Sequence, residues 1–154
     1  MSLNVVELIR KGGIFFDVNG KNPKDVYKKV TGLMNLPDYI TPKALCEGLC
    51  EREDFMSTAV GNGIALPHCR MPILKDSNGE QVSIVFLSKP INMSAPDNLP
   101  VSIMFIILSK NQKDHLEILS QLFEVLKDTE VKKLLNQRAS KEEILEALKK
   151  IKSE

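Results

Sequence analysis

The chain contains two histidines, His68 and His115, and they are its most promising reactive side chains. Imidazole is the one side chain whose ordinary pKa lies near neutrality, so it can serve as nucleophile, base or hydrogen-bond donor. His68 follows an apolar run at 64–66 and then Pro67. Most histidines have a structural role, but loops at strand ends commonly present reactive groups, and this position favours a reactive His68.

Phosphoryl transfer is a reaction that suits such a histidine. A neutral imidazole has a lone pair that can attack phosphorus and form a covalent intermediate. The transferred group keeps its negative charge, so cationic and hydrogen-bonding groups are needed beside it. Arg52 is the candidate cation, because its planar guanidinium can hold two phosphate oxygens; the alternative is a solvated arginine at a helix end. We predict Arg52 and His68 in one site.

Three further side chains could contact the phosphoryl group. His115 falls in the first turn of a predicted long helix, where free N–H groups favour an anion; the alternative is a surface histidine near a helix start. The hydroxyls of Ser57 and Thr58 could donate to phosphate or to the ring of His68. Alternatively, both could bond only to backbone in a local turn.

The three cysteines, Cys46, Cys50 and Cys69, support a different hypothesis. An odd number of cysteines without an export signal predicts free thiols rather than disulfides. Cys69 could be a nucleophile activated by His115, or the three thiols and a histidine could bind a metal. Cysteines spaced four apart on a helix are more often small buried hydrophobic residues, so no metal site is predicted.

Hydrophobic periodicity and capping signals predict the elements that must position these residues. Short strands are expected at 14–16 and 64–66, longer ones at 82–87 and 101–108, and no element at 54–63. Helices are expected at about 5–12, from Asn22-Pro23 until Pro37, from Thr41-Pro42 to about Glu53, and from Ser140 with Glu143 as a capping box. Two further helices are marked by the apolar sets Leu116, Leu119, Leu122, Phe123, Leu126 and Val131, Leu134, Leu135.

These elements predict an α/β fold with a single mixed sheet and helices on both faces. The strand at 101–108 is almost entirely apolar, and such strands are usually covered on both sides. A length of 154 residues with 43% hydrophobic residues suits one hydrophobic core. We therefore predict a single domain over residues 1–154.

The balance of charge excludes some classes of partner. Lysine and arginine total 21 against 20 acidic residues, a net charge of +1, which gives no reason to expect nucleic acid or an anionic membrane. The apolar run 101–108 is far shorter than the roughly 20 residues of a membrane span. Residues 1–10 lack a secretory pattern, so a cytoplasmic protein without membrane insertion is expected.

The run EDFMSTAVGNGIALPHC at residues 53–69 resembles the phosphohistidine signature of type 2 enzyme IIA domains. These are the fructose/mannitol and nitrogen-regulatory IIA proteins of the bacterial phosphotransferase system. The resemblance continues through the opening helices, the Ser-Ala-Pro-Asp stretch 94–97, the strand before Asn111 and the helix that carries His115. It spans nearly the whole chain, and it implies a sheet between two layers of helices.

The resemblance also implies roles for the candidate residues. His68 would accept a phosphoryl group from a histidine phosphocarrier protein and pass it to a IIB domain or use it as a regulatory signal. Arg52 matches an arginine of the family's site, and His115 matches the second histidine, which supports the first by hydrogen bonding. No cofactor is implied. At Cys69 glycine is the commoner residue of the family, although cysteine falls within the family's pattern.

Two alternatives remain open at this point. The chain could be a non-catalytic regulatory module that keeps the fold without phosphotransfer, although His68, Arg52 and His115 argue against it. It could also be a thiol enzyme or zinc protein that uses Cys69. The sequence identifies neither a sugar nor an oligomeric state, and it does not separate transport from regulation.

Overall fold

A computed structural model describes residues 3–151, in which six α-helices flank a five-stranded sheet. The elements are α1 (Val5–Gly12), β1 (Ile14–Val18), α2 (Pro23–Thr31), α3 (Pro42–Phe55), β2 (Ala59–Gly61), β3 (Ile64–Ala65), a 3-10 turn (Ser77–Gly79), β4 (Gln81–Ile91), β5 (Val101–Leu108), α4 (Gln112–Lys127), α5 (Thr129–Asn136) and α6 (Lys141–Lys149).

The sheet is mixed, with strand order β1-β4-β5-β3-β2. β1 runs parallel to β4 and β3 runs parallel to β5, whereas β4 and β5 pair antiparallel, as do β2 and β3. β5 is the central strand. The predicted mixed sheet is therefore confirmed.

Two hydrophobic clusters cover the two faces of β5. Met104, Ile106 and Leu108 pack with side chains of α2 and α3. Ile103 and Phe105 alternate with them and pack with α1, α4, α5 and α6 on the opposite face. Because successive strand residues point to opposite faces, an apolar strand must be buried on both sides. The prediction of helices on both faces of an α/β fold is confirmed.

Side-chain caps fix the starts of the predicted helices. The Asn22 side chain accepts from the backbone N–H of Asp25 at 2.9 Å, and the Thr41 hydroxyl accepts from Ala44 at 3.1 Å. Ser140 and Glu143 form the expected capping box. These polar side chains satisfy N–H groups that have no partner within the helix.

The structure corrects several element predictions. Strand β2 lies within 54–63, where no element was expected, and β4 continues to Ile91, beyond the predicted end. Helix α2 ends at Thr31 rather than near Pro37, and Leu33, which an apolar stripe of the longer helix would have buried, is exposed. β2 is only three residues long, too short for an alternating pattern to stand out from a turn.

The buried face of α4 differs from the prediction in part: Leu122 is buried and Leu119 and Leu126 pack half-buried against the core, but two residues of the predicted set do not. Leu116 is 64% exposed and Phe123 44% exposed, while His115, Ile118 and Val125 are buried. The exposed stripe through Leu116 and Phe123 has the same helical spacing as the buried stripe, so periodicity alone could not show which of them faces the core. Because the helix buries the stripe that contains His115, this side chain points inward. None of the helices in the described range 3–151 is long and apolar enough to span a bilayer.

Candidate functional site

His68 lies just beyond β3, on the continuation of its pairing with the central strand. The Pro67 carbonyl accepts a hydrogen bond from Ile107 N–H at 2.9 Å, and His68 itself forms a parallel bridge with Ile107. The backbone around His68 is thus hydrogen-bonded to β5, the most completely buried strand. This pairing fixes the position of His68, and its side chain stays partly exposed.

The imidazole of His68 has a defined orientation. Its Nδ1 lies 2.9 Å from the carbonyl oxygen of Leu66. A carbonyl oxygen can only accept, so Nδ1 must carry the proton and donate it. In the neutral ring the lone pair is therefore on Nε2, which makes Nε2 the nucleophilic atom.

His115 lies directly against His68. The ring centroids are 4.3 Å apart, with an interplanar angle of 47°. His115 is in the first turn of α4, where the Asn111 side chain accepts from the Asp114 N–H at 2.8 Å. The structure thus brings together the two histidines that the sequence singled out, and it buries His115 to 9% exposure.

Burial and nearby charge keep both imidazoles neutral. Burial is the main cause of the lowered pKa of His68; the charge of Arg52 lowers it further, while the Leu66 hydrogen bond and Glu53 oppose the shift. The pKa of His115 falls to about 4, mainly through burial and then through the charges of His68 and Arg52. Arg52 thus lies near both rings, and near neutral pH each ring can present a lone pair.

The lowered pKa of His115 predicts a loss of stability in acid. The folded state binds this proton only near pH 4, whereas the unfolded chain binds it near the ordinary value of 6.5. Stability contributed by neutral His115 is therefore present above pH 6.5 and is lost as the pH falls to 4, by about 3 kcal/mol in all. Urea unfolding from pH 7 to 4 should show a steeper loss in the wild type than in His115→Gln. Parallel curves would contradict the prediction.

Arg52 stands in the last turn of α3. One guanidinium N–H donates to the carbonyl of Met56, the residue that ends the helix. This bond anchors the guanidinium beside the segment that leads to β2. The planar guanidinium has further N–H groups that can donate hydrogen bonds. A phosphoryl group on His68 would therefore lie near a cation whose position is fixed.

Glu53 is a site residue that the sequence reasoning missed as a functional candidate. Its carboxylate accepts from the Tyr27 hydroxyl at 2.7 Å and from the backbone N–H and hydroxyl of Thr58 at 2.8 and 2.7 Å. The Thr58 carbonyl in turn accepts from Leu66 N–H at 3.0 Å. Glu53 therefore positions the backbone that orients His68. The signals available in the sequence were its place beside Arg52 and at the start of the run 53–69.

Ser57 and Thr58 are engaged with other partners. The Ser57 hydroxyl donates to the Met93 carbonyl and accepts from Ala59 N–H at 3.1 Å. Thr58 is buried, with its hydroxyl on Glu53. The Ser57 hydroxyl thus bonds to backbone, both locally and at a distant position in the chain, whereas the Thr58 hydroxyl bonds to a side-chain carboxylate and not to local backbone. A hydrogen bond from either hydroxyl to phosphate stays a prediction and requires rotation of the side chain.

The cysteines do not form an activated site. Burial, and then the charge of Glu51, raises the pKa of Cys69 to about 11. Burial and Cys46 likewise raise the pKa of Cys50 to about 11. A thiol with a raised pKa stays protonated and is a weak nucleophile near neutral pH. Within residues 3–151 no three His, Cys, Asp or Glu side chains gather as a metal-binding group.

Cys69 has a packing role against α3. A Cβ added at Gly48 would lie 2.8 Å from the Cys69 sulfur, so we expect Gly48→Ala to destabilise the protein by about 1 kcal/mol despite alanine's higher helix propensity. In a Cys69→Ala background the same change should become stabilising. Urea unfolding of the four proteins in a double-mutant cycle measures the coupling. Additive effects would contradict this packing.

Known proteins are similar to this chain in sequence and fold. A sequence model of the family described as "Phosphoenolpyruvate-dependent sugar phosphotransferase system, EIIA 2" matches residues 7–151. The nitrogen regulatory protein of Pseudomonas aeruginosa is 29% identical over 134 residues, 84% of each chain. The crystal structure of nitrogen regulatory protein IIA-Ntr from Neisseria meningitidis has a TM-score of 0.79 and 27% identity, over 93% of this chain and 97% of that one.

A more distant solved structure shares the fold alone. Mannitol enzyme IIA of Escherichia coli, in complex with phosphorylated mannitol enzyme IIB, has a TM-score of 0.66 and 19% identity, over 88% of this chain and 93% of that one.

Proposed function

Because this chain belongs to the EIIA type 2 family of the phosphoenolpyruvate-dependent sugar phosphotransferase system, we propose that His68 is its phosphoryl acceptor. A phosphocarrier or regulatory role in that system follows from the family. The finer proposal is a cytoplasmic, single-domain carrier that takes a phosphoryl group from a histidine phosphocarrier protein onto Nε2. It then passes the group to a IIB domain or uses it as a regulatory signal.

The observation that carries this proposal is the hydrogen bond between His68 Nδ1 and the Leu66 carbonyl. It leaves Nε2 with the lone pair on a partly exposed side chain. The lowered pKa of His68 keeps that lone pair free near neutral pH. A protonated imidazole has no free lone pair and cannot attack phosphorus. Burial and the charge of Arg52 therefore favour the neutral, reactive form of His68.

In the transfer, one bond between phosphorus and nitrogen forms as another breaks. Nε2 of His68 forms a bond to phosphorus as the bond between phosphorus and the donor imidazole breaks, and the donor nitrogen leaves with its electron pair. The ring of His68 becomes positively charged in this step. Since Nδ1–H stays hydrogen-bonded to the Leu66 carbonyl, that oxygen stabilises the developing charge.

Arg52 and His115 would stabilise the phosphoryl oxygens. Neutral His115 has one N–H that can donate, and its ring is 4.3 Å from that of His68 between centroids. Arg52 supplies the positive charge that acts on both rings. Groups already fixed before the reaction need not reorganise during transfer, which is how such sites lower barriers.

An exposed apolar surface adjoins the site. Phe55, Met56 and Met71 are exposed, and the guanidinium of Arg70 lies 5.0 Å from the Phe55 ring centroid, which joins the end of α3 to the loop after His68. Flexible methionines suit surfaces that meet more than one partner. We propose this surface as the docking area for the phosphocarrier protein and then for a IIB domain, the partner of the E. coli mannitol relative.

A direct experiment tests the acceptor atom. The protein, labelled with 15N in its histidines, is incubated with phosphoenolpyruvate, enzyme I and histidine phosphocarrier protein. We expect an acid-labile mass gain of one phosphoryl group and an NMR shift at Nε2 of His68. A phosphoryl group on Nδ1 or on His115 would overturn the assignment. An unmodified protein would favour the non-catalytic regulatory module.

A second experiment separates transport from regulation. Similarity to the Pseudomonas aeruginosa nitrogen regulatory protein favours regulation. In that case, phosphorylation should change the affinity for a regulatory target, and transfer to purified sugar-specific IIB domains should be slow. Rapid transfer to one IIB domain would instead assign the chain to sugar transport.

A further inference from the structure

Glu80 is a buried acidic residue between the 3-10 turn and β4, and it is 1% exposed. Its Oε2 accepts from the backbone N–H of Lys110 at 3.0 Å. Its Oε1 is buried and has no hydrogen-bond partner among residues 3–151, and the same is true of Asp114 Oδ2 in the first turn of α4. Each carboxyl group therefore leaves one oxygen without a hydrogen bond, and Asp114 Oδ2 has only an ion pair with Lys110 Nζ, at 3.4 Å.

The two carboxyl groups are neighbours. The pKa of Glu80 is raised mainly by burial and then by the adjacent carboxyl group of Asp114, against the opposing effects of Lys110. A buried oxygen without a hydrogen bond destabilises the folded state, and more so when it is charged. One proton between two adjacent carboxylates satisfies both oxygens together and removes their repulsion.

The surrounding charges favour a proton over a metal ion. Lys110 Nζ lies 3.4 Å from Asp114 Oδ2 and 2.5 Å from the Ser77 hydroxyl. Lys11 is held on the Asn78 carbonyl at 2.7 Å. With one shared proton the pair keeps a single negative charge, which the Lys110 ammonium matches. A divalent cation would have to lie beside that ammonium.

We propose that Glu80 and Asp114 share one proton, and that this hydrogen bond joins the start of β4 to the first turn of α4 and so positions His115. Asp114 and His115 are consecutive residues of that turn. Holding Asp114 against the sheet fixes where the His115 ring meets His68. Glu80 is thus a positioning residue; this part of the inference rests on the proposed phosphoryl transfer.

Carboxyl-detected 13C NMR tests the shared proton without any phosphotransfer. Glu80 should titrate above its ordinary value of 4.5. In Asp114→Asn the new amide can donate to Glu80 and the acidic neighbour is gone, so the Glu80 pKa should fall clearly below its wild-type value while the contribution of burial remains. A wild-type Glu80 that titrates at or below 4.5 would overturn the shared proton even if His68 is phosphorylated normally.

The positioning role needs a second pair of variants. In Glu80→Gln the amide can accept from Lys110 N–H and donate to Asp114, so His115 should keep its pKa near 4 and the transfer rate should be retained. In Glu80→Ala both bonds are lost, and we expect the His115 pKa to rise by about 1 unit and transfer to slow about tenfold. Equal behaviour of the two variants would overturn the positioning role. The His115 pKa is measurable even if His68 accepts no phosphate.

Discussion

Replacing His68 by alanine is expected to abolish phosphoryl acceptance completely. No other ring nitrogen in the site has the same combination of partial exposure and fixed orientation, because Nδ1 of His68 is bonded to Leu66 and His115 is buried. Removal of the nucleophile leaves no atom on which the intermediate can form. Intact mass measurement after incubation with phosphoenolpyruvate, enzyme I and phosphocarrier protein should show no gain.

Two variants control this result. His115→Ala should still gain one acid-labile phosphoryl group, more slowly, since it keeps the acceptor and loses only a supporting donor. Cys69→Ala should also gain it, because the raised pKa of this thiol argues against a covalent role. An acid-labile gain that persists in His68→Ala would place the acceptor elsewhere and would contradict the proposed function.

Arg52→Ala is expected to slow phosphoryl transfer by on the order of 10²-fold. The guanidinium is anchored on the Met56 carbonyl, and its charge acts on both imidazoles. Its removal should raise the pKa of His68 and His115 as well as destabilise the phosphoryl oxygens. Single-turnover transfer from the phosphorylated carrier gives the rate, and NMR titration gives the two pKa values. Arg52→Lys should recover part of the rate, since an ammonium lacks the planar fork.

Arg70→Ala is the matched control for charge. It removes one arginine from the same surface, where Arg70 lies over Phe55. Arg70 is not among the groups that shift the pKa of either histidine. We expect the loss of Arg70 to leave the pKa values of His68 and His115 unchanged. If Arg70→Ala shifted them as much as Arg52→Ala does, a general surface charge would explain the effect, and a specific role for Arg52 would be wrong.

Most element types were predictable because their signals are local. Asn22, Thr41 and Ser140 bond to N–H groups three residues ahead, so a short window of sequence contains both partners. The strands β4 and β5 were visible as long apolar or β-branched runs. β2 was missed because its hydrogen bonds are made to β3 and its short run has no pattern of its own.

The sequence by itself determined the α/β fold class and the candidates His68, Arg52 and His115, since capping, apolar periodicity and the run at 53–69 are all local features. Tertiary structure alone decided that α4 turns His115 inward, that Nε2 of His68 carries the lone pair, and that Thr58 is bonded to Glu53. It also decided that Glu80 lies against Asp114. These outcomes depend on burial and on contacts between elements distant in the chain, which set protonation and hydrogen bonding but leave no periodic trace in the sequence.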